Sequence, residues 1–166
     1  RALDGTPSSR ATPRLDNDDV STLVRIKNDK VVFRSHLDGS IHEFTPEKSI
    51  EIQKKLGADI ILTFDECAPY PSTHEYAKQA TERTHRWAQR SLAEFKVQSS
   101  KFKVDARQAI YGIIQGGVYK DLREESAKFI SSLALSGGMH QTVRPGAEGF
   151  DGIAIGGVAV GESKKE

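Results

Sequence analysis

Three short apolar runs in this chain end in groups that could hold a small polar molecule. "IILTFDECAPYPST", residues 60–73, is an apolar run that delivers Asp65, Glu66 and Cys67 before two prolines. "AIYGIIQGG" ends in Gln115 beside Gly116 and Gly117, and "FDGIAIGGVAVGE" ends in Gly156, Gly157 and Val158, with Glu162 beyond. An ionised carboxylate accepts two hydrogen bonds side by side, a glutamine amide donates through its NH₂ group, and a glycine lets a ligand approach a bare peptide N–H. One acceptor fork beside two donors complements the pairing edge of guanine, which offers N1–H and its N2 amino group and accepts at O6. Many amides and ureas show a similar pattern, so these residue types leave guanine as one candidate among several.

Each feature also has a plainer reading. Asp65 and Glu66 could cap the following helix or pair with arginines, although an acid at the carboxyl end of a barrel strand is more often functional. Gln115 could satisfy neighbouring backbone. Gly156-Gly157 could be a tight turn or a phosphate cradle, but no Lys or Arg follows at once. Cys67, the only cysteine, reads as a small buried hydrophobe and excludes both an intrachain disulfide and a cysteine-based zinc site. His36 and His42 lack the company of other ligands, so no metal site is expected. Arg83, Arg86 and Arg90 could touch phosphate, with a solvated helix face as the ordinary alternative. No Walker motif, nucleophile elbow or dinucleotide fingerprint is present.

The elements that must position these groups follow from pattern. Residues 1–22 lack hydrophobic periodicity and read as a flexible arm or loop. Val24 and Ile26 alternate with polar residues, Asn28-Asp29 supplies a turn, and residues 31–33 return, which predicts a β-hairpin; Asp38-Gly39 makes the next turn. Thr45 as N-cap, Pro46 at the first helical position and Gly57 at the end bound a helix. The run 59–64 lacks alternation, as a strand covered on both faces would. Ser72 with Glu75 forms a capping-box pattern for a long helix on which Tyr76, Ala80, Thr84, Trp87, Ser91 and Phe95 share a face. A second apolar strand, a helix over about 120–135 and a third apolar strand complete the order. Strands alternating with helices predict parallel pairing through crossovers, so the fold class is α/β. The fold expected over 23–166 is an arc of a (β/α)₈ barrel preceded by the hairpin. With 166 residues the chain is too short to close a barrel, which needs about 250.

Composition narrows the class. Hydrophobic residues at 37% and charged residues at 28% suit a water-soluble domain, and no apolar run approaches membrane-spanning length, so a cytoplasmic setting without membrane attachment is expected. The net charge of +1 argues neither for nor against nucleic acid, because a basic stripe can hide in a neutral total. Arg1 in place of Met suggests a processed or trimmed piece.

With these residues in view, "SHLDGS", "PEKSIEIQKKLGADIILTFDECAPYP", "RTHRWAQRSLAEF", "YGIIQGGVYKDLREESA" and "FDGIAIGGVAVGE" together resemble bacterial-type tRNA-guanine transglycosylase, also called queuine tRNA-ribosyltransferase. The similarity runs from about Val31 to Glu162; the arm before Val20 and the segment Gly138–Gly149, which reads as an insertion, fall outside it. The family is a (β/α)₈ barrel that exchanges guanine at the tRNA wobble position for a 7-deazaguanine, within queuosine biosynthesis. The resemblance implies that Asp65 holds the N1/N2 edge of the base, and that Gln115 and the N–H of Gly157 hold O6. Val158 would offer its backbone to the base's side arm, Glu162 would steady that peptide, and Cys67 and Val160 would shape the pocket. Cys and Val at those two places tilt the substrate towards preQ1 over queuine.

The resemblance also assigns parts elsewhere. It puts the nucleophilic aspartate on a later strand and a second, acid/base aspartate in an upstream "DSGGFQ" segment, neither of which this chain contains. The ligands of a structural zinc ion are likewise not in it. The chain is thus expected to read the base and, alone, to turn over little or nothing. The anticodon loop of tRNA, a guanine or 7-deazaguanine base, and a second identical or paralogous subunit are the partners implied. Two other readings remain: a non-catalytic paralogue that positions tRNA, and an unrelated barrel binding a phosphorylated metabolite near Gly156-Gly157.

Overall fold

The structure, a computed structural model, describes residues 23–101, 108–134 and 149–158. It is a mixed α/β structure of nine elements in these stretches. Strands β1 (Val24–Ile26), β2 (Val31–Arg34) and β3 (Ile41–Phe44) form an antiparallel meander in that order. The hairpin predicted from alternation is present, closed by Lys27 N–H to the Lys30 carbonyl at 2.8 Å. It is not the whole unit, because the chain returns a third time and pairs Phe44 with Val31. The turn makes that return possible. The Asp38 carboxylate accepts from Ser40 N–H at 3.1 Å and from its hydroxyl at 2.7 Å, while Gly39 takes φ +73°. "IHEF" carries too little apolar alternation to announce a strand.

Helix α1 (Pro46–Leu56) has the ends its sequence dictates. The Thr45 hydroxyl accepts Lys48 N–H at 3.2 Å, and Gly57, at φ +71°, donates to the Lys54 carbonyl at 3.1 Å. Helix α2 (His74–Lys101) begins differently from expectation. Thr73, not Ser72, is its cap: the Thr73 hydroxyl accepts Tyr76 N–H at 3.2 Å, and the Glu75 carboxylate accepts from Gln79 instead of closing a box. Ser72 serves elsewhere, its carbonyl accepting the Tyr119 hydroxyl at 2.6 Å. Helix α3 spans Lys120–Ala134.

Strands β4 (Ile60–Leu62), β5 (Ala109–Ile114) and β6 (Gly152–Ile155) form a parallel sheet in chain order, with Leu62 opposite Tyr111 and Ile114 opposite Ile155. The three helices supply one covered face. Ile50 from α1, Ile61, Ala88 and Leu92 from α2, Ile110, and Ile130 from α3 form its main cluster. On the other side, the cover expected for these strands is not supplied by the described residues. There Ile60, Leu62 and Ile155 are 54%, 41% and 67% exposed, because no described element lies over them. The free edge of β4 is blunted by a side chain. Gln53 on α1 donates to the Leu62 carbonyl and accepts its N–H, both at 2.9 Å, and so imitates a neighbouring strand. Among the described residues no helix is long and apolar enough to cross a membrane.

An aromatic chain ties the meander to the end of β4. Phe33 lies 5.9 Å from Phe44, Phe44 lies 6.1 Å from Phe64, and Phe64 stacks on Trp87 at 4.8 Å. Trp87 is fully buried on α2, and its indole N–H donates to the Asn28 carbonyl in the β1–β2 turn at 2.9 Å. Arg90, one turn on, clamps Glu47 through two nitrogens at 2.7 and 2.8 Å and donates to the Asp29 carbonyl. Trp87→Ala therefore removes a ring stack, a hydrogen bond and a large buried volume together. Denaturant unfolding of the full-length protein, followed by circular dichroism, is expected to show a loss of about 3–5 kcal/mol, against about 1 kcal/mol for Trp87→Phe.

Candidate functional site

The carboxyl ends of β4, β5 and β6 lie side by side, and the groups that follow them meet. Gln115, immediately after β5, donates from Nε2 to Oδ2 of Asp65, three residues past β4, at 2.6 Å. Gln115 is only 2% exposed, and its Oε1 is buried without a partner among the described residues. Gly156 and Gly157 follow β6 and press against the same amide. A Cβ on Gly156 would stand 2.5 Å from Gln115 Nε2, and one on Gly157, which has φ +69°, would stand 2.9 Å from Oε1. Only glycine fits such an approach. Asp65 is half-buried. Burial, the largest influence, pushes its carboxyl pKa up; the Gln115 hydrogen bond and its own backbone N–H oppose this, and the neighbouring Glu66 charge adds to it.

Beneath these groups the two helices hold the strand ends with side chains. Ser91 and Thr84 of α2 accept the N–H groups of Phe64 and Glu66 at 3.2 and 3.0 Å. Ser126 of α3 accepts Gln115 N–H at 3.1 Å and lies 3.0 Å from Nε2 of His85, whose ring stacks on Phe129 at 4.2 Å. Burial pushes the His85 pKa down, so the neutral ring prevails at neutral pH. Thus Asp65 and Gln115 each stand on backbone whose amides are satisfied by buried hydroxyls.

Glu66 has a different role from its neighbour. It is 4% exposed, accepts the Tyr76 hydroxyl at 2.7 Å, and pairs with the Arg83 guanidinium. This realises the plainer alternative for Glu66, pairing with an arginine. It corrects the solvated reading of Arg83, and the Glu47 clamp does the same for Arg90; Arg86 remains exposed. Cys67 is exposed, not a buried hydrophobe, because the loop turns outward after Glu66 and sends Ala68 into the small cluster with Ala77, Ala80 and Leu122. Val158 follows the two glycines and is exposed as well. Val160 and Glu162 lie outside the described residues, as do residues 1–22 and 138–148. Among the described residues no three His, Cys, Asp or Glu side chains gather as a metal ion requires.

Sequence reasoning missed the supporting layer of Arg83, Ser126 and His85. The available signal was polar residues inside apolar helix stripes, such as Thr84 and Ser91, both wholly buried. Buried hydroxyls on a helix facing strand ends are candidates for satisfying loop amides.

Residues 16–166 match the family model described as queuine tRNA-ribosyltransferase. The chain belongs to the queuine tRNA-ribosyltransferase family. A protein of that name from Herpetosiphon aurantiacus is 50% identical over 142 residues, which is 86% of this chain and 30% of the relative. Others of the same name, from Caldanaerobacter subterraneus and Halothermothrix orenii, are 47% identical over 145 residues and 46% over 147, covering 87% and 89% of this chain and 33% of each relative. The chain therefore spans about a third of the length of the curated relatives it matches.

The two adjacent acids of this family member should respond oppositely to substitution. Glu66→Gln leaves Arg83 buried against a neutral partner and is expected to cost on the order of 3 kcal/mol. Asp65 behaves otherwise. Its raised pKa means that the folded protein holds the proton more tightly than the unfolded chain does. The stability this contributes is full below the ordinary carboxylate pKa and is lost as pH rises through the raised value. Asp65→Asn, which does not titrate, should gain on the wild type as pH rises from about 4 to 7. Denaturant midpoints of the full-length protein across that range check both; a large loss for Asp65→Asn at neutral pH would contradict the assignment.

Proposed function

We propose that the protein carrying this chain exchanges guanine in tRNA for a 7-deazaguanine, and that this chain supplies the recognition of the base. The observation that carries the reading is the Asp65–Gln115 contact at 2.6 Å, flanked by the close approach of Gly156 and Gly157. One carboxylate faces the side where a purine presents N1–H and N2–H. The Gln115 amide has a second hydrogen for O6, and the Gly157 N–H donates to no group among the described residues. Discrimination follows from the cost of leaving such buried groups unpaired with a wrong base. A target base must leave its stack to reach them.

The wider parts of the proposal rest on the family. The sheet β4–β6 with helices on one face is an arc of a (β/α)₈ barrel, and its exposed face of Ile60, Leu62 and Ile155 suits a barrel interior. The reacting aspartates, and the ligands of a structural zinc ion, come from residues other than those of this chain. The family pattern would have Val158 offer its backbone to the side arm of the incoming base, Glu162 steady that peptide, and Cys67 and Val160 shape the pocket, with preQ1 favoured over queuine. The partners are the anticodon loop of tRNA and a second subunit, in the cytoplasm. The buried, satisfied state of Glu66 supports Asp65 as the carboxylate left for the base.

Incorporation of labelled guanine into tRNA by the full-length protein tests the reaction. Asp65→Ala is expected to weaken guanine binding about ten- to a hundredfold, because two donors of the base lose their acceptor. Guanine affinity equal to that of the wild type would remove Asp65 from the pocket. Absence of exchange by an intact wild-type protein would instead favour a tRNA-positioning subunit.

A further inference from the structure

One cation at the meeting of the three strand ends, Arg123, is unused by the reading above. Arg123, in the first turn of α3, donates from a single nitrogen, Nη1, to the Gly156 carbonyl at 3.1 Å and to the Gly117 carbonyl at 3.3 Å. The helix backs directly onto the β5 turn: a Cβ on Gly116 would stand 2.7 Å from Arg123 N and 2.8 Å from its Cγ. Among the described residues no carboxylate pairs with Arg123, although seven ion pairs form elsewhere in them. A cation in the first turn also opposes the helix dipole, so its position runs against local preference. Such conflicts concentrate where a side chain serves a site.

The geometry of the peptide unit gives the arginine a purpose. The Gly156 carbonyl and the Gly157 N–H belong to one peptide, and that peptide is trans. In a trans peptide the two groups point in opposite directions. A guanidinium that anchors the carbonyl from one side therefore aims the N–H to the other, away from α3. The flanking glycines would otherwise allow this plane to turn, since Gly157 sits at φ +69° and its neighbour also lacks a Cβ. A charged donor on the carbonyl further polarises the peptide and strengthens its N–H as a donor. The same nitrogen holds Gly117, two residues past Gln115, so both proposed O6 donors are referenced to one side chain.

We propose that Arg123 is a positioning residue for base recognition: it fixes and polarises the Gly156–Gly157 peptide so that the Gly157 N–H meets the purine's O6. The proposal rests on the base-exchange reading. It is specific to O6, which supplies the test. Calorimetry on the full-length protein compares guanine with 6-thioguanine, which keeps the N1–H and N2 donors but presents sulfur, a poor acceptor, in place of O6. Arg123→Met is expected to weaken guanine about tenfold, the worth of one hydrogen bond, while 6-thioguanine changes far less; Arg123→Lys restores part of the guanine loss. Arg123→Gln carries the same expectation if the methionine variant is not folded by circular dichroism. Equal losses for both purines would reduce Arg123 to a structural tie and overturn the proposal. So would unchanged affinity for both, when Asp65→Asn measured alongside still loses guanine. If Asp65→Asn binds guanine as the wild type does, the base-exchange reading fails first and takes this assignment with it.

Discussion

The hydrogen bond from Gln115 to Asp65 joins the ends of two neighbouring parallel strands, and most of the structure serves to make it possible. A half-buried carboxylate is costly unless a donor meets it. The donor here is an amide that is itself almost wholly buried, so both partners must be delivered with little freedom. Parallel pairing of β4 with β5 sets the two ends side by side. Ser91 and Thr84 hold the backbone on either side of Asp65, and Ser126 holds that of Gln115. The aromatic chain from Phe33 to Trp87 fixes Phe64, the residue just before Asp65.

Two consecutive acids divide the work because of backbone geometry. Successive residues of an extended segment point to opposite sides. Asp65 turns towards the ends of β5 and β6, and Glu66 turns into α2, where Tyr76 and Arg83 satisfy it. The structural acid anchors the loop, and the anchored loop presents the other acid. Keeping an ionised Asp65 there costs stability, as its raised pKa indicates, and on the proposed reading base recognition is what that cost supports. The glycines follow the same logic. At 156 and 157 they give up side-chain packing so that a peptide can approach the Gln115 amide.

What could be read from the sequence was what depends on local chemistry. Thr45, Pro46 and Gly57 bound α1 as predicted, since capping involves residues a few positions apart. The apolar stripe of α2 and the parallel order of β4, β5 and β6 followed from periodicity and alternation. Motif resemblance brought Asp65, Gln115 and Gly157 into one set, and they do converge. What was illegible depends on distant partners. Whether Arg83 faced water or Glu66 was decided by a loop seventeen positions away, and the stations of Ser126 and Arg123 by where α3 docks. The third meander strand was missed because its pairing with β2, not its own pattern, makes it a strand. Thr73, not Ser72, is the cap, and the Ser72 carbonyl instead meets Tyr119, far along the chain.

The central claim is that the ends of three parallel strands form one purine-reading surface. A crystal structure of the full-length protein with guanine bound tests it most directly. The account predicts N1 and N2 of the base at about 2.7–3.2 Å from the Asp65 carboxylate, with O6 at similar distances from the Gln115 amide and the Gly157 nitrogen. Guanine seated elsewhere, or seated here with O6 turned towards Asp65, would contradict it.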